Sequence, residues 1–233
     1  MTIAAPTLPP HVTADGQGRE AQIIRETLQA CGHEVRFQTA AFGSHWRRYR
    51  QRETLDAVTT VPEGKKLPGH MSQPYVRYQN GVSVLESADI QVDELSDLKG
   101  RDIVTFQDGI EILGLSDRRD MFATVHEVAD QEVHSRLLFA GRVDAVLSDG
   151  LIFAAFNRRL REAGDVSFDP DQKVRFTAVV PPTAYRMAFR DAGLRDAFDR
   201  CFQKLKAGGR IEAINTEHIS RFRETVGKQY LGY

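Results

Sequence analysis

The feature that most constrains this chain is a strand-like phrase written twice, "LDAVTTV" at 55–61 and "VDAVLSD" at 143–149. Each copy is apolar at successive positions, as a strand must be when helices cover both faces of its sheet. Strand and helix signals alternate around both copies. "TIAAP" opens as a strand, and Ile23, Ile24, Thr27, Leu28 and Cys31 then recur at helical spacing up to Gly32, a C′ residue. "EVRFQTA" alternates as a strand, Ser44 is placed to cap "HWRRYRQRE", and the first copy of the phrase follows.

Beyond a turn-rich stretch from Pro62 to Pro74 the order begins again. "DELSDLKG" predicts a short helix, "RDIVTFQ" a strand, "IEILGLSDRRDMF" a helix, "TVHEVA" a strand and "DQEVHSRLLFAG" a helix. The second copy and the amphipathic helix "GLIFAAFNRRLREAG" come next, then the strands "VRFTAVV" and "YRMAFR". Leu194, Phe198, Cys201, Phe202 and Leu205 mark a further helix. The expected fold is α/β, two Rossmann-like units with mostly parallel sheets and helices on both faces. Ligands of open α/β sheets bind beyond the carboxyl ends of the strands, which puts Thr59, Thr60 and Asp149 at a crevice. Asp149 is equally placed to cap the helix starting at Gly150, and Thr59 and Thr60 to act as ordinary strand residues.

Composition removes several functions. Thirty-one basic and 32 acidic side chains leave a formal net charge of -1, which gives no footprint for nucleic acid or an anionic membrane. The basic run "WRRYRQR" at 46–52 reads as the solvated face of a helix, and Trp46 as a core residue. No stretch approaches the roughly 20 apolar residues of a membrane span, and the opening residues lack the basic and apolar regions of a signal peptide. That opening suits a cytoplasmic protein or a mature exported one. Cys31 and Cys201, without a C-x-x-C or metal-ligand spacing, argue against a zinc site and read as buried free thiols on helix faces, with one bridge as the alternative. His33, His45, His70, His126 and His134 are scattered, which suits surface or capping roles. "GQGREA" at 16–21 has G-x-G-x-x-A spacing, but two prolines and a long loop separate it from the first strand, against a dinucleotide site. No nucleophile motif is present, so neither catalysis nor a cofactor or metal is expected.

Three segments in order carry a family resemblance: "LDAVTTVPEGKKLPGHMSQPYV" at 55–76, "LKGRDIVTFQDG" at 98–109 and "AGRVDAVLSDG" at 140–150. Together they resemble the type II periplasmic solute-binding proteins, in particular the family 3 group that includes polar amino-acid receptors of ABC importers. The resemblance implies two lobes, 1–80 plus 178–233 and 81–177, joined by a two-stranded hinge through "YQNGVSV" and "RFTAVVPP", with ligand closing one lobe on the other. It places Thr59 and Thr60 at the ligand's edge, and Lys65 where an Arg usually clamps a carboxylate, supplying charge without the planar fork. Asp149 falls where the ligand ammonium is held, and Gln107, Asp108 and Gly109 at a turn offering backbone N–H groups, with Asp108 able to cap the helix that follows. His11 stands where the first loop usually carries an aromatic residue; Phe42, Trp46 or Tyr75 then supplies the aromatic wall. The implied protein is a monomeric periplasmic one that delivers a small polar organic ligand, such as an amino-acid-like one, to a membrane permease. The rivals are a ligand-sensing receptor domain and a dehydratase-like enzyme on the same scaffold.

Overall fold

Ile23, Ile24, Thr27 and Leu28 do line one buried side of a helix, which ends at Ala30 with Gly32 just beyond it in the left-handed region (φ 81°). A computed structural model describes residues 1–164 and 167–233 of the chain. In chain order its elements are β1 (Thr2–Pro6), α1 (Arg19–Ala30), β2 (Arg36–Ala40), α2 (Ser44–Gln51), β3 (Ala57–Pro62), β4 (His70–Met71) and β5 (Val76–Tyr78). There follow β6 (Asn80–Leu85), β7 (Asp102–Thr105), α3 (Gly109–Ile112), β8 (Thr124–Glu127), α4 (Glu132–Phe139), β9 (Ala145–Asp149), α5 (Gly150–Ala163) and β10 (Val174–Thr177). The last elements are β11 (Thr183–Phe189), α6 (Ala192–Ala207), α7 (Arg210–Ser220) and α8 (Arg223–Val226).

These form two units. Unit 1 comprises Met1–Arg77 and Ala184–Ser220; unit 2 comprises Tyr78–Thr183 and Arg221–Tyr233. The segment 221–233, grouped with the first lobe by the resemblance, lies in unit 2. The sheet of unit 1 runs β2-β1-β3-β11-β4, with β5 also pairing β11. In it β1 is parallel to β2 and β3, whereas β11 is antiparallel to β3 and β4. The sheet of unit 2 runs β10-β6-β9-β7-β8, with β7 parallel to β8 and β9, and β6 antiparallel to β9 and β10. The orders β2-β1-β3-β11 and β8-β7-β9-β6 therefore match in sequence and direction. The repeated phrase supplies β3 in one unit and β9 in the other, at the same place in each sheet, every residue of both strands buried.

Coverage of both faces explains why the phrase has no polar alternation. In unit 2, Ala145 and Leu147 of β9 pack with Val82, Leu98, Ile103 and Ile110, while Val146 packs with Val104, Leu138 and Phe153 on the other face. Each Val, Leu or Ile so buried contributes about 1.5–3 kcal/mol relative to exposure.

Several local expectations change. The helix predicted over 110–122 breaks at Gly114, which is left-handed (φ 69°). Leu115, whose N–H donates to the Ile110 carbonyl at 2.8 Å, turns into the core, and a 3-10 helix at Ser116–Met121 follows. Ser44 is the first residue of α2 and not its cap; that position is held by Gly43 (φ 80°), with no side-chain cap. The histidines divide: His70 and His126 are exposed, but His45 and His134 are buried. The cysteines are bonded to each other. Cys31 at the end of α1 and Cys201 in α6 have Cα atoms 6.1 Å apart and form a disulfide, because the packing of α1 on α6 brings the two apolar helix faces together at those positions. No helix among the described residues is long and apolar enough to cross a membrane.

Candidate functional site

In unit 1 the carboxyl end of β3 opens onto a buried polar cluster. Thr60 has φ 54°, the left-handed region that a β-branched residue rarely enters, and it is held there from three directions. Its N–H donates to the Tyr75 hydroxyl at 3.2 Å, its own hydroxyl donates to Glu20 Oε1 at 2.8 Å, and the Thr59 hydroxyl lies 2.9 Å from it. The Tyr75 hydroxyl donates to the same Glu20 oxygen. Burial, and then the adjacent Glu20 charge, push the Tyr75 phenol well above its usual range, so it remains a donor. Glu20, Thr59 and Thr60 are fully buried, and a carboxylate in such a place needs these donors.

Beside this cluster the Trp46 indole N–H points to the Thr59 carbonyl at 3.4 Å, and Lys65 Nζ lies 4.2 Å from the centroid of the Trp46 ring, a cation–π contact. Phe42 meets the same ring edge-on at 4.8 Å. His45 is fully buried among Phe42, Trp46 and the backbone, and neither ring nitrogen makes a hydrogen bond of ordinary geometry. Burial holds its imidazole down to about 3, with the Ala41 and Thr59 carbonyls opposing that shift.

Arg19 and His11 form the second layer. Arg19, almost completely buried, donates from Nε to His11 Nδ1 at 3.1 Å, from one terminal nitrogen to Asn215 Oδ1 at 3.2 Å, and from the other to the Arg77 carbonyl at 2.6 Å. The Pro10 and His11 carbonyls accept the first N–H groups of α1, those of Arg19, Glu20 and Ala21. This explains the second glycine of "GQGREA". At Gly18 (φ 110°) a Cβ would lie 2.4 Å from the Pro10 carbonyl oxygen, so the glycine admits the loop that caps the helix. The helix terminus serves the fold and not a phosphate.

In unit 2 the carboxyl end of β9 carries Asp149. Its Oδ1 caps α5, accepting from the N–H groups of Leu151 at 2.9 Å and Ile152 at 3.0 Å. Its Oδ2 accepts from the Tyr230 hydroxyl at 2.6 Å. At the β7–α3 turn Asp108 is left-handed (φ 59°) and makes no side-chain cap; the Ile110 N–H is taken instead by Glu127 Oε1 at 3.1 Å. Gln107 is exposed and donates to Asp108 Oδ1 at 2.9 Å, while the Gly109 N–H donates to the Phe106 carbonyl at 2.8 Å. Only glycine fits at 109, since a Cβ would stand 2.4 Å from Thr105 Oγ1.

The structure thus gathers Thr59, Thr60, Tyr75, Trp46 and Lys65 around one strand end of unit 1, and sets Asp149 at the equivalent end in unit 2. Sequence reasoning missed Glu20, Arg19 and Tyr230. For the first two a signal existed: 19 and 20 continue the stripe of 23, 24, 27 and 28, so the helix period itself buries a charged pair. Among the described residues no group of three or more His, Cys, Asp or Glu is arranged to hold a metal ion.

No protein-family model matches the chain. Among curated proteins it is similar to a probable amino-acid ABC transporter-binding protein of Haemophilus influenzae, 22% identical over 202 residues that span 86% of this chain and 75% of that protein. Among solved structures it is similar to a histidine kinase sensor domain with similarity to periplasmic binding proteins, at TM-score 0.76, 19% identity, and coverage of 94% of this chain and 95% of that one. An arginine 3rd transport system periplasmic binding protein from Legionella pneumophila matches at TM-score 0.74 and 16% identity over 94% and 98% of the two chains. An ancestral arginine-binding protein bound to glutamine matches at TM-score 0.73 and 19% identity over 94% and 96%.

Proposed function

The chain has the α/β fold of the periplasmic binding proteins, and we propose that it is an extracytoplasmic protein that captures a small polar solute for ABC-type import. One observation carries the reading: equivalent strands of the two units, β3 and β9, each end in buried polar groups at the carboxyl edge where open α/β sheets bind ligands. The curated relative is named for amino-acid transport, and an amino-acid-like solute suits the polar groups present. In this reading the ligand-binding residues of unit 1 are Thr59, Thr60 and Lys65, with Trp46 and Tyr75 shaping the wall, and those of unit 2 are Asp149 and the turn at Gln107, Asp108 and Gly109. A disulfide supports an oxidising compartment, and hence a location outside the cytoplasm. The proposed partners are the solute and a membrane permease, and the proposed state is a monomer.

Thermal unfolding with L-arginine, L-glutamine and L-glutamate, at concentrations up to several millimolar, tests the function. A true ligand at about a hundred times its Kd raises Tm by roughly 5–10 °C. Asp149→Asn preserves a capping side chain and removes its charge, so loss of that shift supports the site, and an unchanged shift overturns it. Failure of all three amino acids and of a wider panel of polar solutes would overturn the transport reading. The sensor-domain neighbour favours one second reading, ligand sensing in a longer receptor. Growth on the solute as sole nitrogen source separates the two, since a transport protein's deletion abolishes it and a sensor's does not.

A further inference from the structure

We infer that the outer face of α2 is a docking surface for an acidic patch on a partner protein. This inference stands apart from the solute reading. The helix buries His45, Trp46 and Tyr49 on one side. Its opposite side presents Arg47, Arg48, Arg50 and Gln51, continued by Arg52 at the cap and Lys66 in the turn after β3, all exposed. Among the described residues none of the five cations forms an ion pair with a carboxylate, in a chain whose formal net charge is only -1. Elsewhere arginines are matched, as in Arg136 with Glu132, Arg186 with Glu63 and Arg210 with Glu26.

The helix dipole accounts for a cation in the last turn of α2, so it covers Arg48 and Arg50. It leaves Arg47 and Lys66 unexplained, and like charges this close repel one another. Two of the guanidinium groups are also held in position: Arg48 donates to the Thr39 carbonyl at 3.1 Å and Arg50 to the Lys66 carbonyl at 3.1 Å. Pinned arginine forks lose little entropy on meeting carboxylates, which they engage in bidentate fashion. No large apolar side chain is exposed among the described residues, so a partner at this face is recognised by charge. Carboxylates of a protein surface fit the fixed forks better than a fluid layer of lipid headgroups does.

The test places p-benzoyl-L-phenylalanine at Gln51 of the full chain, in cells carrying the native gene, and identifies the photo-adduct by peptide mass spectrometry. The expected adduct is a peptide of another protein with clustered Asp and Glu. Its yield should fall by at least about tenfold in Arg47→Glu/Arg52→Glu, less in Arg47→Gln/Arg52→Gln, and also fall with added salt. Among the described residues neither of those two side chains has a hydrogen-bond or ion-pair partner, so an unchanged Tm confirms that the variants are intact. Absence of an adduct overturns the inference. So does an adduct indifferent to charge reversal, one to a second copy of this chain, or purified protein that pellets equally well with phosphatidylglycerol vesicles.

Discussion

Asp144 and Asp102 clasp each other across two parallel strands: the Asp102 N–H donates to Asp144 Oδ2 at 2.8 Å, and the Asp144 N–H donates to the Asp102 carbonyl at 2.8 Å. The same clasp recurs in unit 1, where the Thr2 N–H donates to Asp56 Oδ2 at 2.7 Å and the Asp56 N–H to the Thr2 carbonyl at 2.9 Å. The Asp of each "DAV" phrase is therefore a register lock, joining the entry of β9 to β7 and of β3 to β1. Asp144→Ala should cost about 1–3 kcal/mol, the value of a charge-assisted hydrogen bond whose partner is left unsatisfied. Urea unfolding measures it, and a change below a few tenths of a kcal/mol would remove the lock.

Thr60 is strained by its backbone and secured by its hydroxyl. Thr60→Ala keeps a Cβ in the left-handed region and loses the bond to Glu20; Thr60→Gly loses the same bond and releases about 1 kcal/mol of strain. Glycine should accordingly be the milder substitution in chemical denaturation. If alanine proves milder, the left-handed conformation carries no cost here.

Acid should destabilise the chain through two imidazoles. Burial lowers His45 to about 3 and His134 to about 4 from the usual 6.5. Both groups are neutral in either state above pH 6.5. Below it the unfolded chain binds protons that the native chain refuses, so each histidine removes up to about 1.4 kcal/mol per pH unit, down to about pH 4 for His134 and about 3 for His45. His45→Phe, which also deletes two buried unpaired nitrogens, should flatten the profile by nearly one proton between pH 6 and pH 4. An identical slope in the variant would place His45 in solvent.

Reduction opens the bridge between α1 and α6. With a sequence separation of 170 the loop it closes is long, and its loss should cost about 2–5 kcal/mol. Thermal unfolding with and without dithiothreitol reads this directly, and the Cys31→Ser/Cys201→Ser pair should reproduce the reduced curve.

Hydrophobic period and turn chemistry made the alternation of elements legible, along with the equivalence of β3 and β9, because doubly covered strands and amphipathic helices leave those patterns in any sequence. The helix over 110–122 misled because Ile110 and Leu113, and Ile112 and Leu115, are apolar pairs three residues apart, yet Gly114 lets the chain turn before Leu115. Pairing of Cys31 with Cys201 depends on how α1 packs against α6, which no local pattern encodes. The positions of Thr59, Thr60 and Asp149 in β3 and β9 are legible because strand ends are readable. Their hydrogen-bond partners Tyr75, Tyr230 and Glu20 reach them across sequence separations of 15, 81 and 40, and such contacts exist only after folding.

The contact between Tyr230 and Asp149 also sets an order of events on the ribosome. Synthesis delivers Asp149 first, and all of the 184–220 segment, which belongs to unit 1, must emerge before the phenol that completes the carboxylate's shell. Unit 2 thus cannot finish its interior during its own translation; it waits on the completion of its neighbour's chain.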